Sequence, residues 1–253
     1  MPVPKRLIEY FYPGCQSLGI SPFDGTIAFY DRVNHLCPEG ATILDYGAGD
    51  GHSISNTSGW RKSQLLIANA RRRVGADADA GVLSNKFIQE SHQLEASNHW
   101  RLPIADDSID LVVCDWVVEH LPDPLSAFSD IHRVLKPGGW FCARTGNIRH
   151  YSYGVANLVK NTALERRLLG FAQGDRHTWP KRYRANTPSR LRRSIAYAGF
   201  RECTIVAWEP EPAYGMRSLP LFLFGVLWQR MAEAGMLPKA TLLVFARKAL
   251  GPE

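Results

Sequence analysis

The chain has no long apolar run. Its longest, Leu219 to Trp228, is about half of what a bilayer-spanning helix needs and is interrupted by Pro220 and Gly225, so no transmembrane helix is expected. Nor does an apolar stretch follow Met1 to Arg6, which holds two prolines and two basic residues, so no export signal is expected. Cysteine is sparse: Cys15, Cys37, Cys114, Cys142 and Cys203 are scattered, odd in number and without CxxC spacing. That pattern argues against a disulfide framework and against a bound metal, and makes a reducing cytoplasm the expected compartment. Internal repeats and low-complexity segments are also lacking. What remains is an ordinary globular composition, 45% apolar and 21% charged over 253 residues, enough for one well-buried α/β core with appendages.

Charge is distributed unevenly. The net +6 divides into −5 over residues 1–143 and +11 over residues 144–253. A field of that sign favours anionic partners such as phosphates, acidic sugars, nucleic acid or lipid headgroups, and serves equally as a solvated basic surface.

Apolar periodicity outlines the elements. Leu7–Tyr12 and Phe23–Leu36 read as a short and a longer helix, separated by Pro13, Gly14, Gly19 and Pro22. From Ala41 the pattern becomes short β-rich runs, Ala41–Tyr46, Arg73–Asp77, Leu111–Cys114 and Trp140–Thr145, alternating with helical stretches such as Leu125–Leu135. Such alternation implies a parallel sheet with helices on both faces. Over residues 186–199, Thr187 is an N-cap, Pro188 suits the first helical position and Gly199 ends the helix. Arg201–Trp208 and Thr241–Arg247 read as strands, with an apolar helix over about Leu219–Ala234 between them.

The most informative stretch is Ile43-Leu44-Asp45-Tyr46-Gly47-Ala48-Gly49-Asp50-Gly51, an apolar strand that runs into D-x-G-x-G-x-G. Glycines there allow a tight turn and let a ligand approach the backbone amides. A dinucleotide fingerprint would require glycine at position 52, where His52 stands, so a pyrophosphate reader is disfavoured. The next strand ends in Asp77, 26 residues after Gly51, where a carboxylate accepts hydrogen bonds from the hydroxyls of a ribose. That spacing predicts an insertion over residues 59–71.

Three further segments make a family resemblance specific. Leu102-Pro103-Ile104-Ala105-Asp106-Asp107-Ser108-Ile109-Asp110-Leu111-Val112-Val113, then Val118-Glu119-His120-Leu121, then Arg133-Val134-Leu135-Lys136-Pro137-Gly138-Gly139 resemble the class I methyltransferase family in its small-molecule branch. The resemblance covers residues 41–147 well and 181–208 moderately. It implies S-adenosyl-L-methionine as cofactor and a Rossmann-like, seven-stranded, mostly parallel sheet with helices on both faces, an N-terminal helical cap and a helical insertion before the last strand. The organisation it suggests is a cap over 1–38 and a methyltransferase domain over 39–253, divided into a cofactor half (39–147), a substrate-side elaboration (148–240) and a last strand (241–248).

Carried onto matching positions, the resemblance puts the methionine part of the cofactor against the backbone of Tyr46, Gly47, Ala48 and Gly49, with Asp45 supporting that turn. Asp77, with Ala78 beside it, would hold the ribose. Asn98, with His99 beside it, stands where the family usually has an aspartate for the adenine amino group, and its side-chain carbonyl accepts the same bond without a charge. Cys114, Asp115 and Trp116 would meet the methionine ammonium and the substrate mouth. His120 reads mainly as a packing residue, and Lys136–Gly139 as a turn before the fifth strand.

Methyl transfer from a sulfonium needs orientation and exclusion of water, plus a general base where the acceptor is an alcohol. Arg144, Asn147, His150, Tyr151 and Tyr153, then His177, Tyr183 and Arg184, fall where the substrate face is expected, and His150, His177 and Tyr183 are the catalytic candidates. The block 177–187 mixes aromatics with cations, which suits an anionic or sugar-like small-molecule acceptor. The apolar run 219–228 leaves three readings open: a lid, a contact between copies, or peripheral contact with the inner face of a membrane. An RNA methyltransferase is the nearest rival, although single-strand-binding signatures are lacking. A cofactor-binding regulator without catalysis and a nicotinamide oxidoreductase stand behind it.

Overall fold

In the computed structural model, which describes residues 2–57, 59–95, 99–159, 162 and 179–251, the strand and helix signals of the sequence become an alternating α/β chain. Helices α1 (Lys5–Phe11) and α2 (Gly25–Leu36) precede strand β1 (Ala41–Tyr46). The short α3 (His52–Ser55) and then α4 (Gly59–Leu66) lead to β2 (Ala70–Asp77), and β3 (Glu90–Gln93) follows. Next come β4 (Ile109–Asp115), α5 (Pro124–Val134), β5 (Leu135–Gly146), α6 (Tyr151–Val159) and α7 (Pro188–Tyr197). The chain closes with β6 (Glu202–Trp208), α8 (Leu219–Glu233) and β7 (Thr241–Arg247).

The strands form one seven-stranded mixed sheet in the order β3-β2-β1-β4-β5-β7-β6. β1 pairs in parallel with β2 on one side and β4 on the other, and β2–β3 and β4–β5 are parallel as well. Parallel strands are covered on both faces, which explains why β4 reads as an unbroken apolar run in which Leu111 to Cys114 are all buried. Because β1 connects forward to β2 on one flank while β4 lies on the other, the strand order reverses at β1, and in open sheets of this kind the carboxyl ends of the strands at such a point are where ligands bind. Tyr46 lies opposite Ala76, and Asp45 opposite Gly75 and Val113, so three loops converge there.

The chain divides into two compact units. One comprises residues 29–145, 182–206 and 243–253 and holds most of the sheet. Its core stacks Phe128 of α5 on Phe141 of β5 at 5.4 Å between ring centroids, and Phe141 on Phe200 at 5.8 Å. Helix α5 starts at Asp123, whose carboxylate accepts from the amides of Leu125 and Ser126. Helix α7 packs against α5, buries Leu191 and Ile195, and starts at Thr187, whose hydroxyl accepts from the Arg190 amide at 3.3 Å. Gly199 ends that segment at φ 103°, where any side chain would press on the His132 ring.

The other unit comprises residues 1–28, 146–181 and 207–242 and is mainly helical. It joins the N-terminal helix expected as a cap to the segment expected as an elaboration. Val3, Ile8 and Tyr12 pack with Phe222 and Val226 of α8 into a single cluster. The hydroxyl of fully buried Tyr12 donates to Gln229 Oε1 at 2.8 Å, and Gln229 Nε2 donates to the Pro210 carbonyl at 3.3 Å, so the polar atoms in this apolar contact are satisfied. No helix among the described residues is long and apolar enough to cross a membrane.

Two features differ from expectation. Lys136–Gly139 is not a turn ahead of the strand: β5 begins at Leu135, paired with Ile109, and resumes opposite Leu111 at Trp140, so the four residues bulge out of the strand itself. Gly138 takes φ 79° there, Lys136 Nζ donates to Asp110 Oδ1 at 2.7 Å, and the Lys248 amide donates to the Gly139 carbonyl at 3.0 Å. The second is β3, four half-buried or exposed residues with the sequence Glu-Ser-His-Gln at the sheet edge, which carries no apolar signature. The insertion expected at 59–71 is occupied by α4 and the start of β2.

Replacing Thr187 by Ala removes the cap of α7 and is expected to lower unfolding free energy by about 1 kcal/mol, with Thr187→Ser retaining most of it. Urea denaturation of the three proteins measures the difference.

Candidate active site

The turn after β1 is held open by backbone geometry that only glycine adopts easily. Gly47, Gly49 and Gly51 have φ of 91°, 50° and 79°. The Gly47 amide donates to the Ala76 carbonyl at 2.7 Å, which ties the turn to β2. A Cβ on Gly47 would overlap Val117, so the turn and the segment after β4 approach too closely for a side chain. A Cβ on Gly49 meets nothing within 4 Å, so on that side the turn faces open space.

Asp77, at the end of β2, closes the arrangement. Its Oδ2 accepts from the Gly49 amide and its Oδ1 from the Asp79 amide, both at 2.8 Å. Each carboxylate oxygen retains capacity for a second donor. Burial pushes the Asp77 acid up, while the amides of Asp79 and Gly49 and the neighbouring Asp79 charge act as smaller effects of mixed sign. Ala78 beside it is half-buried.

A second support of the turn was not foreseen. Buried Asn85, after the short 3₁₀ turn Ala80–Ser84, donates from Nδ2 to the carbonyls of Ala48 and Gly49, each at 3.1 Å. Its Oδ1 accepts from the Phe87 amide at 3.0 Å. A Cβ on Gly51 would lie 2.6 Å from that Oδ1, so the third glycine of the motif makes room for this asparagine. Only the Asn-x-Phe order in the sequence marks it, and that order is too common to point to a role.

Asp45 and Tyr46 end β1 beneath the turn. Asp45 lines a small internal cavity with Tyr30, Ile43, Leu65, Ile67, Arg73 and Val113. Burial raises its acid to about 6, opposed by the Arg73 guanidinium and reinforced by Asp115 and Asp77. Arg73 is itself buried and donates to the carbonyls of Leu65 and Leu66. Tyr46 is buried, and desolvation pushes its phenol well up.

At the end of β4, Asp115 lies opposite Arg144 of β5 in the parallel register. Arg144 grips it with two bonds, Nε to Oδ1 at 2.6 Å and Nη2 to Oδ2 at 2.7 Å, and the Tyr30 hydroxyl adds a third at 3.2 Å. The guanidinium stacks between Phe29 and Trp116, 5.6 and 5.3 Å from their ring centroids. The Asp115 carboxylate is thereby committed to Arg144 and Tyr30, and it fixes the strand ends. Trp116 takes φ 59° and donates its amide to the Arg144 carbonyl at 2.9 Å. Cys114 is fully buried, and its thiol is pushed far up by burial. Nearby, buried Glu119 accepts from the Thr145 hydroxyl at 2.7 Å, and Asn186 Nδ2 donates to that hydroxyl at 2.7 Å. The Glu119 carbonyl accepts the amides of Arg182 and Tyr183 at 2.7 and 3.0 Å, so the Glu-His-Leu segment anchors the chain that enters α7.

Residues 44–143 match the family model for the methyltransferase domain. The fold agrees with solved methyltransferases: one from Archaeoglobus fulgidus superposes with TM-score 0.56 at 16% identity over 96% of this chain and 99% of that one. Another, from Mesorhizobium loti, gives TM-score 0.55 at 19% identity over 89% and 99%. Over residues 44–143 the chain is similar to a methyltransferase domain, and its fold is that of the solved methyltransferases. A probable S-adenosylmethionine-dependent methyltransferase of Mycolicibacterium smegmatis is 32% identical over 126 residues, 49% of this chain and 45% of that protein. A ubiquinone biosynthesis O-methyltransferase of Albidiferax ferrireducens is 29% identical over 137 residues, 49% of each. The chain thus spans about half the length of these relatives.

Within the matched residues, Asp45, Tyr46, Gly47, Ala48, Gly49, Asp77 and Ala78 gather at neighbouring ends of β1 and β2, and Cys114, Asp115 and Trp116 at the end of β4. Exposed His99 has φ 50°, and its expected partner Asn98 lies outside the described residues. Of the catalytic candidates, His177 also lies outside them. Tyr183 is buried at φ 53° beside Glu119.

His150 belongs to the helical unit and is buried. Its Nδ1 faces the Ser152 hydroxyl at 2.8 Å and accepts from the Ser152 amide at 3.3 Å, while Nε2 meets Glu209 Oε1 at 3.2 Å. These contacts assign the neutral ring its proton on Nε2 and make it a cap for α6. Glu209 Oε2 accepts the Ala240 amide at 2.6 Å, so this carboxylate joins the start of α6 to the approach to β7. Asn147 adds a parallel tie, donating from Nδ2 to the Lys239 carbonyl at 2.9 Å.

The raised acid of Asp45 sets a pH dependence. Between its ordinary value near 3.8 and about 6 the folded chain keeps a proton that the unfolded chain releases, so stability falls as pH rises through that window. Asp45→Asn is expected to flatten this decline, which is on the order of 3 kcal/mol, in urea titrations run across it.

Proposed function

We propose that the chain is an S-adenosylmethionine-dependent methyltransferase that acts on a small-molecule, glycan or lipid-linked acceptor at oxygen. The observation that carries this reading is the pinned turn: open space at Gly49 beside a carboxylate that organises the turn and keeps acceptor capacity on both oxygens. Such a donor and acceptor set suits an amino acid joined to a ribose. Backbone amides meet the carboxylate of the first, and Asp77 accepts from the hydroxyls of the second. The family match and the named relatives support the same assignment.

When bound, the cofactor's sulfonium supplies a methyl group that is already electrophilic. The residues of this chain then have to bind, orient and exclude water. The clamp of Arg144 on Asp115 fixes the ends of β4 and β5 without drawing on solvent, which keeps those strand ends rigid. For an oxygen acceptor, His150, His177 and Tyr183 are the proposed proton-handling residues. At His150, Nδ1 is the ring nitrogen that would take the proton of the methyl acceptor, and doing so displaces the Ser152 amide. The O-methyltransferase name carried by several relatives supports oxygen as the acceptor atom. Five cysteines without a disulfide support a reducing, cytoplasmic setting.

Asp77→Ala removes the charged acceptor and is expected to weaken S-adenosylhomocysteine binding by at least about tenfold in calorimetry, with Asp77→Asn intermediate. Heat that is absent for the wild type, or unchanged in Asp77→Ala, defeats the cofactor reading. Incubation with methyl-labelled S-adenosylmethionine and separated extract is expected to place label in the polar or lipid fraction. Label confined to RNA replaces the acceptor class, and label nowhere leaves a binding protein without transfer.

A further inference from the structure

Helix α8 has two apolar faces, and among the described residues one is buried while most of the other is exposed. Phe222, Gly225, Val226, Gln229 and Ala232 are buried, and at about 100° per residue they cover one side of the helix, against α1 and its neighbours. The opposite side presents Leu221, Leu223, Phe224 and Leu227, exposed by 59%, 45%, 46% and 60%. Surface residues of this kind occur singly on most proteins, but four large ones on two turns of one helix form a patch. Tyr151 of α6 packs on Phe224 and Trp228, at 5.1 and 4.7 Å between centroids, and widens it.

From Arg217 to Ala232 every charged residue is basic. Arg217 precedes the helix and Arg230 follows the last exposed leucine, both exposed, and no carboxylate occurs from Ser218 to Ala232. Glu233, the first acid, pairs with Lys239 at 2.9 Å. An apolar stripe between two guanidinium groups matches the interface of an anionic bilayer, where side chains enter the acyl boundary and cations meet headgroups. At 15 residues the helix is about 22 Å long, too short to span, so it would lie in the plane of the surface. A second copy of the chain fits less well. Twofold pairing of this face sets Arg217 against Arg230 or each against itself, and like charges then meet in either direction.

We infer that the outward face of α8 is a docking surface for an anionic lipid bilayer. It stands independently of the cofactor reading. Flotation of the full chain tests it, with phosphatidylcholine vesicles and with vesicles that also contain phosphatidylglycerol. Binding is expected only to the second kind and to weaken with salt. The pair Leu223→Asp and Leu227→Asp should reduce it at least about tenfold, and Arg230→Ala about fivefold. Tyr197→Asp, at an exposed site on the other unit, should leave it unchanged, and circular-dichroism melts establish that each variant folds. Absence of flotation, equal binding to neutral vesicles, or loss in all variants alike overturns the proposal. So does a concentration-dependent dimer in sedimentation that the aspartate pair dissociates.

Discussion

A turn of three left-handed glycines has no side chains of its own with which to hold its shape, and a backbone without that support samples many conformations. Here two polar residues from the β2–β3 side hold it: the Asp77 carboxylate takes the Gly49 amide, and the Asn85 carboxamide meets the carbonyls of Ala48 and Gly49. The turn is thus gripped through donor and acceptor groups at adjacent peptide units. The parallel pairing of β1 with β2 delivers Asp77 to that position, and the glycine turn in turn allows the close approach of Val117 after β4. Sheet register thus places the groups, and a few hydrogen bonds then fix the shape of the turn.

Buried charge is treated differently in the two units. In the sheet unit Arg144 and Asp115 face each other with bidentate geometry and aromatic cover, so the desolvation of both is offset by direct bonds and stacking. Asp45 has no such partner among the described residues, and burial raises its acid. In the helical unit Glu209 spends its two oxygens on His150 and on the Ala240 amide, which joins segments 31 residues apart in the chain. With both ring nitrogens engaged, the His150 ring is a structural link at this point.

Much of the fold was legible where burial and local chemistry agree. β1 and β7 occupy the residues that their apolar runs marked, and the Thr187-Pro188 start and Gly199 end of α7 follow from capping rules. β3 was not legible, because a short polar strand at a sheet edge has no buried face to impose alternation. The Lys136–Gly139 bulge was missed for a related reason: glycine and proline announce a change of direction, but whether pairing resumes afterwards depends on Asp110 and Lys248, distant in sequence. In the site, the glycines and Asp77 stood out because their residue types are rare in that order. Asn85 and Glu209 did not, since their partners, the turn carbonyls for one and His150 with the Ala240 amide for the other, are brought near only by folding.

The contact between Gly51 and Asn85 links two positions that seem unrelated in the chain. A methyl group at 51 would collide with the Asn85 carbonyl oxygen, and shortening the residue at 85 would release two peptide carbonyls of the turn. Neither position can therefore drift alone, and divergence here has to pass through an intermediate that is worse than both endpoints. Among relatives of this chain the two sites should change together or stay still, which makes an apparently permissive glycine one of the more constrained letters of the motif.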